Sequence, residues 1–451
     1  MKKSLFAVAA LSAIAGAAQA QSSVTVYGIL DVGYIGSNAR EVAGTSNGGG
    51  TQAVTKTQKS VFGNGAEQTS RLGFKGTEDL GGGTSAFFTV ELGLTPQNSE
   101  LSGGTARDPI QSTTNASGSA VDNRQSFAGL KKTGLGQFAL GRQYTTVFNA
   151  GAKTDPGQYN NIAGNVIYNS GSVYASADTV SSGTNNNIGF TNRAANQLSI
   201  DSDSFAGFTG HAMYALNNQN TTQTLTTAST GGGGNVNWNG FGLGVDFAWQ
   251  KLLVTAAYQS FKTQYTNGAG ATGNTVINVN SVGATSGQLT SSGFMYAPQQ
   301  TSDKQTYVGA TYDFGILKAY AQWVGRKVQN DTTYTGSIAG GSSATTVAGQ
   351  QFNRTAQQIG VRSYITPTIE AWGSVGTGKF TGPIGSQNPG QGITPGSVNF
   401  IGYQLGSNYY LSKRTNLYAI YGQQQTSAAT AGVTGSGNTA NQYALGMRHT
   451  F

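Results

Sequence analysis

Apolar and polar residues alternate along this chain in segments of about ten residues, a period of two that indicates strands with one apolar face. In 241–250, for example, Phe241, Leu243 and Val245 share one face, while small or polar residues occupy the other. The alternation predicts sixteen strands, at 22–34, 71–79, 85–94, 123–132, 136–144, 193–202, 205–216, 241–250, 252–261, 305–314, 317–328, 356–365, 369–380, 400–411, 416–424 and 441–451. The fold class expected is therefore all-β and antiparallel.

The connections between these segments alternate in length. Short turns follow every second strand, and eight longer segments rich in Gly, Ser, Thr and Asn fall between them, at 35–69, 95–122, 145–192, 217–239, 262–304, 329–355, 381–399 and 425–440. Short turns at one end and long loops at the other are typical of a transmembrane β-barrel. An even number of strands also lets the first and last strands pair, which leaves no open edge.

The direction of the two faces follows from the size of the barrel. Sixteen strands enclose a lumen too wide for side chains to fill, so we expect the apolar face to point outward and the polar face inward. A soluble barrel, with its apolar face inside, is the alternative. A mean hydropathy of −0.27 fits a wet interior and long polar loops around an apolar band.

The first twenty residues have the pattern of a secretory signal. Lys2 and Lys3 precede a short apolar stretch, and Ala18-Gln19-Ala20 matches a cleavage site. The apolar stretch is too short for a spanning helix, which argues against an uncleaved membrane anchor. We expect 1–20 to be removed and 21–451 to form the barrel domain.

Composition and charge exclude several other classes. The chain carries 26 Lys and Arg against 18 Asp and Glu, and removal of Lys2 and Lys3 lowers the net charge from +8 to +6. The absence of a Lys/Arg cluster argues against nucleic-acid binding. With no cysteine and only His211 and His449, a metal site of Cys or His ligands is not expected. No catalytic motif stands out, so we expect neither an enzyme nor a cofactor.

Four stretches together resemble the general porins of the Gram-negative outer membrane, in particular the beta-proteobacterial branch. They are SRLGFKGTEDLGGG at 70–83, RQSFAGL at 124–130, LGRQYTT at 140–146 and the terminal GMRHTF. The resemblance covers essentially all of the mature chain. It implies a homotrimeric, water-filled channel with its third loop folded into the lumen. It also implies contact with outer-membrane lipid and lipopolysaccharide, and insertion by the barrel-assembly machinery.

The resemblance further implies a constriction where wall arginines face carboxylates of the third loop. Arg71, Arg124 and Arg193 match the family's arginines, and the alternation is expected to turn all three into the lumen, with Lys75 on the same face as Arg71. The loop 145–192 offers Asp155 as its acid, in place of the glutamate found in many relatives. We expect these residues to form the constriction.

Other charged residues are placed by the same alternation. Arg362, Arg448, Asp246 and Glu370 are expected to line the pore. Arg142 shares the parity of the outward residues beside it and is expected to contact a neighbouring subunit. The resemblance marks the terminal aromatic residue, Phe451, as a signal for assembly of the barrel.

The favoured function is passive diffusion of ions and small hydrophilic solutes across the outer membrane, with weak anion preference. Two alternatives stay open at this point. One is a substrate-specific channel or an adhesion or receptor barrel, which would need a binding ladder or a partner at the large loops. The other is a secreted, soluble β-rich enzyme or lectin, which would be soluble without detergent.

Overall fold

The computed structural model describes residues 23–42, 45–46, 54–97, 101–102, 121–168, 190–221, 234–267, 299–330, 334–337, 344–347, 350–383, 395–430 and 433–451. The expected signal sequence 1–20 lies outside these residues. In the described part of the chain, no helix is both long enough and apolar enough to cross a membrane.

Nearly every described element is a strand. The strands are β1 Ser23–Val42, β2 Thr45–Ser46, β3 Val54–Asn64, β4 Arg71–Gly81, β5 Thr84–Gly93, β6 Asn123–Lys132, β7 Gly136–Tyr144, β8 Arg193–Ser202, β9 Phe208–Thr221, β10 Gly234–Trp249, β11 Leu252–Asn267, β12 Gln299–Asp313, β13 Lys318–Asn330, β14 Tyr334–Ser337, β15 Ala344–Val347, β16 Gln350–Thr366, β17 Ile369–Pro383, β18 Pro395–Tyr410, β19 Thr415–Thr430 and β20 Val433–Thr450. One helix, α1 (Thr146–Thr154), lies between β7 and β8.

The wall is a closed antiparallel sheet of sixteen strands, as the sequence predicts. The first and last strands pair, with Tyr34 opposite Leu445, and Gly28 exchanges two backbone hydrogen bonds with Phe451. β3 and β4 both pair with β1, at its two halves, so together they count as one wall strand. The short hairpin β14–β15 and the two-residue β2 add nothing to the barrel wall. Because the sheet closes, every wall strand has a paired neighbour on each side and the wall has no open edge.

The apolar face points outward. On three different strands Leu243, Ile359 and Leu405 are each more than half exposed, whereas the inward Gln259 and Gln404 are fully buried. A soluble barrel would show the opposite arrangement, because exposed apolar surface is unfavourable in water. The barrel is therefore built to lie in lipid.

Most loops are shorter than the sequence indicates. The predicted loop 35–69 is largely strand, since β1 continues to Val42 and β3 begins at Val54; likewise β19 reaches Thr430 and β20 begins at Val433. Residues 54–60 of β3 are exposed on both faces of the sheet. A strand wet on both sides has no reason to alternate apolar and polar residues, so the pattern disappears there although the strand continues.

The described parts of the third loop, 145–168 and 190–192, do fold into the lumen. Thr145 caps α1 by accepting a hydrogen bond from the Phe148 N–H on its side chain, and the helix packs against β10, β11 and β12. The chain then continues along the inner wall as far as Ala163, which contacts β20. This segment is called the inserted loop below.

Candidate functional site

Neutral amide side chains on five strands hold the inserted loop against the wall. Four glutamine Oε1 atoms each accept a hydrogen bond from a loop backbone N–H: Gln259 from Val147 (3.1 Å), Gln305 from Thr191 (2.8 Å), Gln358 from Val166 (3.2 Å) and Gln442 from Ala163 (2.9 Å). A fifth, Gln404, donates to the Ile162 and Ala163 carbonyl oxygens and exchanges two hydrogen bonds with Asn160. These five glutamines are called the amide belt. Because buried backbone groups need partners, the belt fixes the path of the loop.

Aromatic packing gives the loop a small apolar core of its own. The Phe148 ring stacks on Tyr144 at 4.1 Å, and the Tyr159 ring stacks on Tyr168 at 4.4 Å. Phe190 and Tyr307 extend the same buried cluster to strand β12. The loop therefore combines hydrogen bonds with burial of aromatic area, and both oppose its release into the lumen.

Asp155 does not face the wall arginines, contrary to the prediction. It is almost completely buried against β16, where its carboxylate accepts hydrogen bonds from Tyr159 N, Asn165 Nδ2 and Gln358 Nε2. Burial raises the pKa of Asp155 to about 6, although these bonds and Arg362 favour the charged form. Asp155 therefore stabilises the fold of the loop, because its carboxylate oxygens accept hydrogen bonds from two loop residues and from one wall residue.

Two of the three predicted arginines meet at Glu91, a residue that the sequence analysis did not single out, and the third lies over Tyr144 beside them. Arg124 Nε donates to Glu91 Oε1 at 2.7 Å, and Arg71 Nη1 lies 3.9 Å from the same oxygen. Arg124 Nη2 also donates to the Tyr144 hydroxyl at 2.8 Å, and the Arg193 guanidinium lies 5.6 Å from the centre of the Tyr144 ring. We call these five residues the basic cluster. Three guanidinium groups outnumber the Glu91 carboxylate, with Asp122 also within electrostatic range of Arg124 and Arg193, so the cluster keeps a positive excess.

Two β-bulges, rather than simple alternation, determine where two of these arginines lie. Glu91 pairs with Gln125 but its neighbour pairs with Asn123, so Arg124 is an extra residue in β6 and turns to the side of Glu91. A second irregularity follows in β8, where Asn196 has φ +51°. The alternation that predicted an inward Arg193 does not extend past it. The burial of Arg193 comes from its position over Tyr144.

The basic cluster keeps unused hydrogen-bonding capacity. Arg193 is 4% exposed, and its buried Nη1 has no hydrogen-bond partner among the described residues. A buried cationic donor normally finds an acceptor, so this group is oriented toward an anion or ordered water. Lys75 lies two inward positions from Arg71 toward the short turns, with its Nζ 5.3 Å from the Tyr27 ring centre. Tyr27 in turn donates to Glu91 at 3.2 Å.

The four residues expected to line the pore do lie on the inner side, but all are engaged in contacts. Arg362 forms a double hydrogen bond with Glu370 and donates from Nη1 to the Pro156 carbonyl of the inserted loop (2.6 Å). Asp246 accepts from Lys153 of α1 and lies 3.0 Å from His211 Nε2. Arg448 donates to Asn416 Oδ1 at 3.0 Å. Their charges are offset locally, so they anchor the loop and add little to the field in the pore.

Arg142 lies at the register shift between β7 and β8, within electrostatic range of Arg193. Its Nε donates to the Asn123 carbonyl on the neighbouring strand at 2.8 Å, and the adjacent outward Leu140 is 58% exposed. The described part of the chain contains no group of three or more His, Asp and Glu side chains placed to hold a metal ion.

Sequence reasoning missed Glu91 and the amide belt for different reasons. Glu91 lies in a predicted strand and alternates with outward Val90 and Leu92, so the parity rule could have placed it in the lumen. The belt glutamines carry no such signal, because a polar residue at an inward position is expected everywhere in a wet barrel. Only the loop's path shows which of them bind it.

Comparison with known proteins supports this architecture. Residues 7–430 match the Gram-negative porin family. The chain is similar to an outer membrane porin protein of Bordetella pertussis, with 28% identity over the full length of both. It also resembles outer membrane porin protein 32 of Delftia acidovorans, with 48% identity over 93 residues, 20% of this chain and 22% of that one.

A solved structure has the same fold. The anion-selective porin from Comamonas acidovorans superposes with a TM-score of 0.54 at 19% identity, covering 96% of this chain and 100% of that one. The family match extends over nearly the whole chain, and the closed sixteen-stranded barrel with an inserted loop agrees with it. The chain is therefore a porin of the outer membrane and belongs to the Gram-negative porin family.

Proposed function

We propose that this porin is a general diffusion channel with a preference for anions, and that the basic cluster sets the preference. The observation that carries the proposal is the grouping of three arginines, with Arg71 and Arg124 at the Glu91 carboxylate and Arg193 over the Tyr144 ring. A positive narrow zone in a low-dielectric wall concentrates anions and raises the barrier for cations.

The inserted loop supports the same sign of selectivity. Its described acid, Asp155, is buried in hydrogen bonds away from the arginines, so it does not offset their charge. Arg326 has Asp303 as its carboxylate partner (2.8 Å) and Arg362 has Glu370. Buried Arg354 donates to the Val166 carbonyl and lies over the Phe380 and Phe400 rings. The basic cluster is the place where three arginines lie together, and we assign the selectivity to it.

The test is the zero-current potential of single channels in a planar bilayer under a KCl gradient. Arg71→Ser with Arg124→Ser should reduce or reverse the anion preference, because two of the three guanidinium groups are lost. Glu91→Gln should shift the potential the opposite way, since it removes the offsetting carboxylate. Wild-type selectivity should weaken at high salt, where screening shortens the field to a few ångströms.

Arg414→Ser is the matched control, because it removes an exposed arginine from the short turn between β18 and β19. It should leave the zero-current potential unchanged. If the double variant keeps the wild-type potential, or if the wild type prefers cations, the basic cluster does not set the field.

The assembly is also a proposal, supported by membership of the family. We infer a homotrimer in a bilayer of lipid and lipopolysaccharide, inserted by the barrel-assembly machinery after removal of residues 1–20. Arg142, half-buried beside Asn123, is the candidate subunit contact, so Arg142→Ser should lower the temperature at which the trimer dissociates. Phe451, which ends the closing strand, is the candidate assembly signal.

A further inference from the structure

A recess opens in the inner wall on the short-turn side of the basic cluster. Its deep part has a volume of about 190 Å³ and is lined by aromatic rings and amides of β5 to β9, among them Phe87, Phe127 and Gln197. Its outer part, of about 510 Å³, shares Gln137, Asn149, Asp201 and His211 with the deep part, so the two are continuous. Tyr144 belongs both to the recess and to the basic cluster.

The outer part presents opposite charges side by side. Lys153 Nζ lies 3.4 Å from His211 Nε2, and His211 Nδ1 lies 2.7 Å from Asp201 Oδ1, so one imidazole ring separates the ammonium from the carboxylate. The Lys153 and Asp201 side chains are both about one third exposed, at 36% and 35%. Asp246 contacts both Lys153 and His211 and so keeps these two side chains together. Each exposed charge can therefore take a partner from solution.

The deep part supplies apolar contact and one unused acceptor. Phe87 and Phe127 meet edge to face with their centres 6.4 Å apart. Gln197 is 1% exposed, its Nε2 donates to the Tyr144 carbonyl, and its buried Oε1 has no partner among the described residues. Buried acceptors are normally satisfied, so this one calls for a donor from a solute or an ordered water.

We propose that this recess is a binding subsite for small zwitterions with an apolar body, such as aromatic α-amino acids. The solute carboxylate pairs with Lys153, its ammonium group pairs with Asp201, and its ring lies against Phe87 and Phe127. Small-molecule sites usually combine a concave lining of apolar and aromatic side chains with a few precisely placed polar groups. The inference rests on the proposed channel function, because the solute reaches the recess through the lumen.

The experiment measures saturable block of single-channel current by three probes that share a phenyl ring. L-phenylalanine carries both charges, 2-phenylethylamine only the ammonium, and 3-phenylpropanoate only the carboxylate. Phenylalanine should bind more tightly than either of the others by about two- to fivefold, the range that one partly exposed ion pair accounts for.

Variants then assign the contacts. Asp201→Asn keeps the shape of the recess and should weaken phenylalanine binding by about two- to fivefold while leaving 3-phenylpropanoate unchanged. Asp203→Asn is the matched control, since that neighbouring acid caps the turn at Gly134 N, outside the recess. Phe127→Ala should remove the advantage of phenylalanine over alanine.

Three results would overturn the subsite: 3-phenylpropanoate blocking as tightly as phenylalanine, equal effects of the two aspartate variants, or no saturable block at all. The first would assign binding to the basic cluster alone. Because each is measured on open channels with a recorded zero-current potential, failure of the subsite is distinguishable from failure of the proposed channel function.

Discussion

At the scale of single residues, the same charged side-chain types do different work according to what surrounds them. Arg124 shares one carboxylate with Arg71 and leaves the basic cluster with excess charge. Arg362 forms an ion pair with Glu370 and also donates a hydrogen bond from Nη1 to the Pro156 carbonyl of the inserted loop. The difference follows from the number of carboxylates available to each arginine, because a charge paired with an opposite charge produces little field beyond its immediate neighbours.

Asp155 gives a prediction at this scale. Its pKa of about 6 in the folded protein lies above its ordinary value of 3.8, so the folded state holds the proton more tightly than the unfolded chain. The stability that results is fully present below about pH 4 and is lost as the pH rises through about 6, with a limiting size of about 3 kcal/mol.

We therefore expect the midpoint temperature of thermal unfolding of the wild type in detergent to decrease as the pH is raised from 4 to 7, relative to that of Asp155→Asn. The Asn variant has no group to titrate at this position, so a constant offset from its altered hydrogen bonds does not affect the comparison. Midpoints of the two proteins that run parallel over this range would show that Asp155 is not linked to the stability of the barrel.

At the scale of elements, the sequence predicts the membrane band of each strand and fails beyond it. Within 241–250 one face meets lipid and the other meets water, so the alternation is complete and the strand is correctly placed. Above the band both faces meet water, and β3 was assigned to a loop for that reason. The bulge beside Arg124 is also invisible in the sequence, because an extra residue looks like any other.

The path of the inserted loop could not be predicted either. The family resemblance implies that Asp155 faces the arginines, but its buried carboxylate accepts hydrogen bonds from Asn165 and Gln358 instead. Which inward glutamines bind the loop depends on contacts between residues more than a hundred positions apart, as with Val147 and Gln259. Alternation along one strand carries no information about such pairs.

The amide belt gives the prediction at this scale. Gln404→Leu leaves the Ile162 and Ala163 carbonyls without this donor and removes two hydrogen bonds from the Asn160 amide. Losing these bonds should cost about 1–3 kcal/mol, because buried polar groups remain unsatisfied. We expect larger and noisier single-channel conductance, since the loop moves away from the wall.

Gln423→Leu is the control for this variant. Gln423 lies on the same part of the barrel, but its side chain accepts from the hydroxyls of Tyr403 and Tyr421 rather than from the loop. Its conductance should match the wild type. Quiet, unchanged channels from Gln404→Leu would mean that the remaining contacts hold the loop without that glutamine.

At the scale of the whole molecule, stability depends on closure. β20 pairs with β1 along fourteen residue positions and with β19 on its other side. Removing Tyr443–Phe451 would expose strand edges on both partners to lipid, where each unpaired backbone group costs a few kcal/mol. We expect no folded, heat-modifiable trimer in the outer membrane.

A deletion of equal length, 222–230, serves as the control, because it shortens a connection between β9 and β10 and removes no β1–β20 pair. That protein should still assemble. Normal amounts of heat-modifiable protein from the Tyr443–Phe451 deletion would contradict the idea that closure of the sheet is required.

The amide belt has a further consequence, for evolution and engineering. The groups that hold the inserted loop are mostly uncharged and lie on β11, β12, β16, β18 and β20, whereas the basic cluster lies on β4 to β8. The arginines of the basic cluster and the glutamines of the amide belt are thus separate sets of residues, although Tyr144 of the cluster also stacks on Phe148 of the loop. A related or engineered porin can therefore exchange arginines of the basic cluster for acidic residues, and so change which solutes enter the cell, without changes in the amide belt.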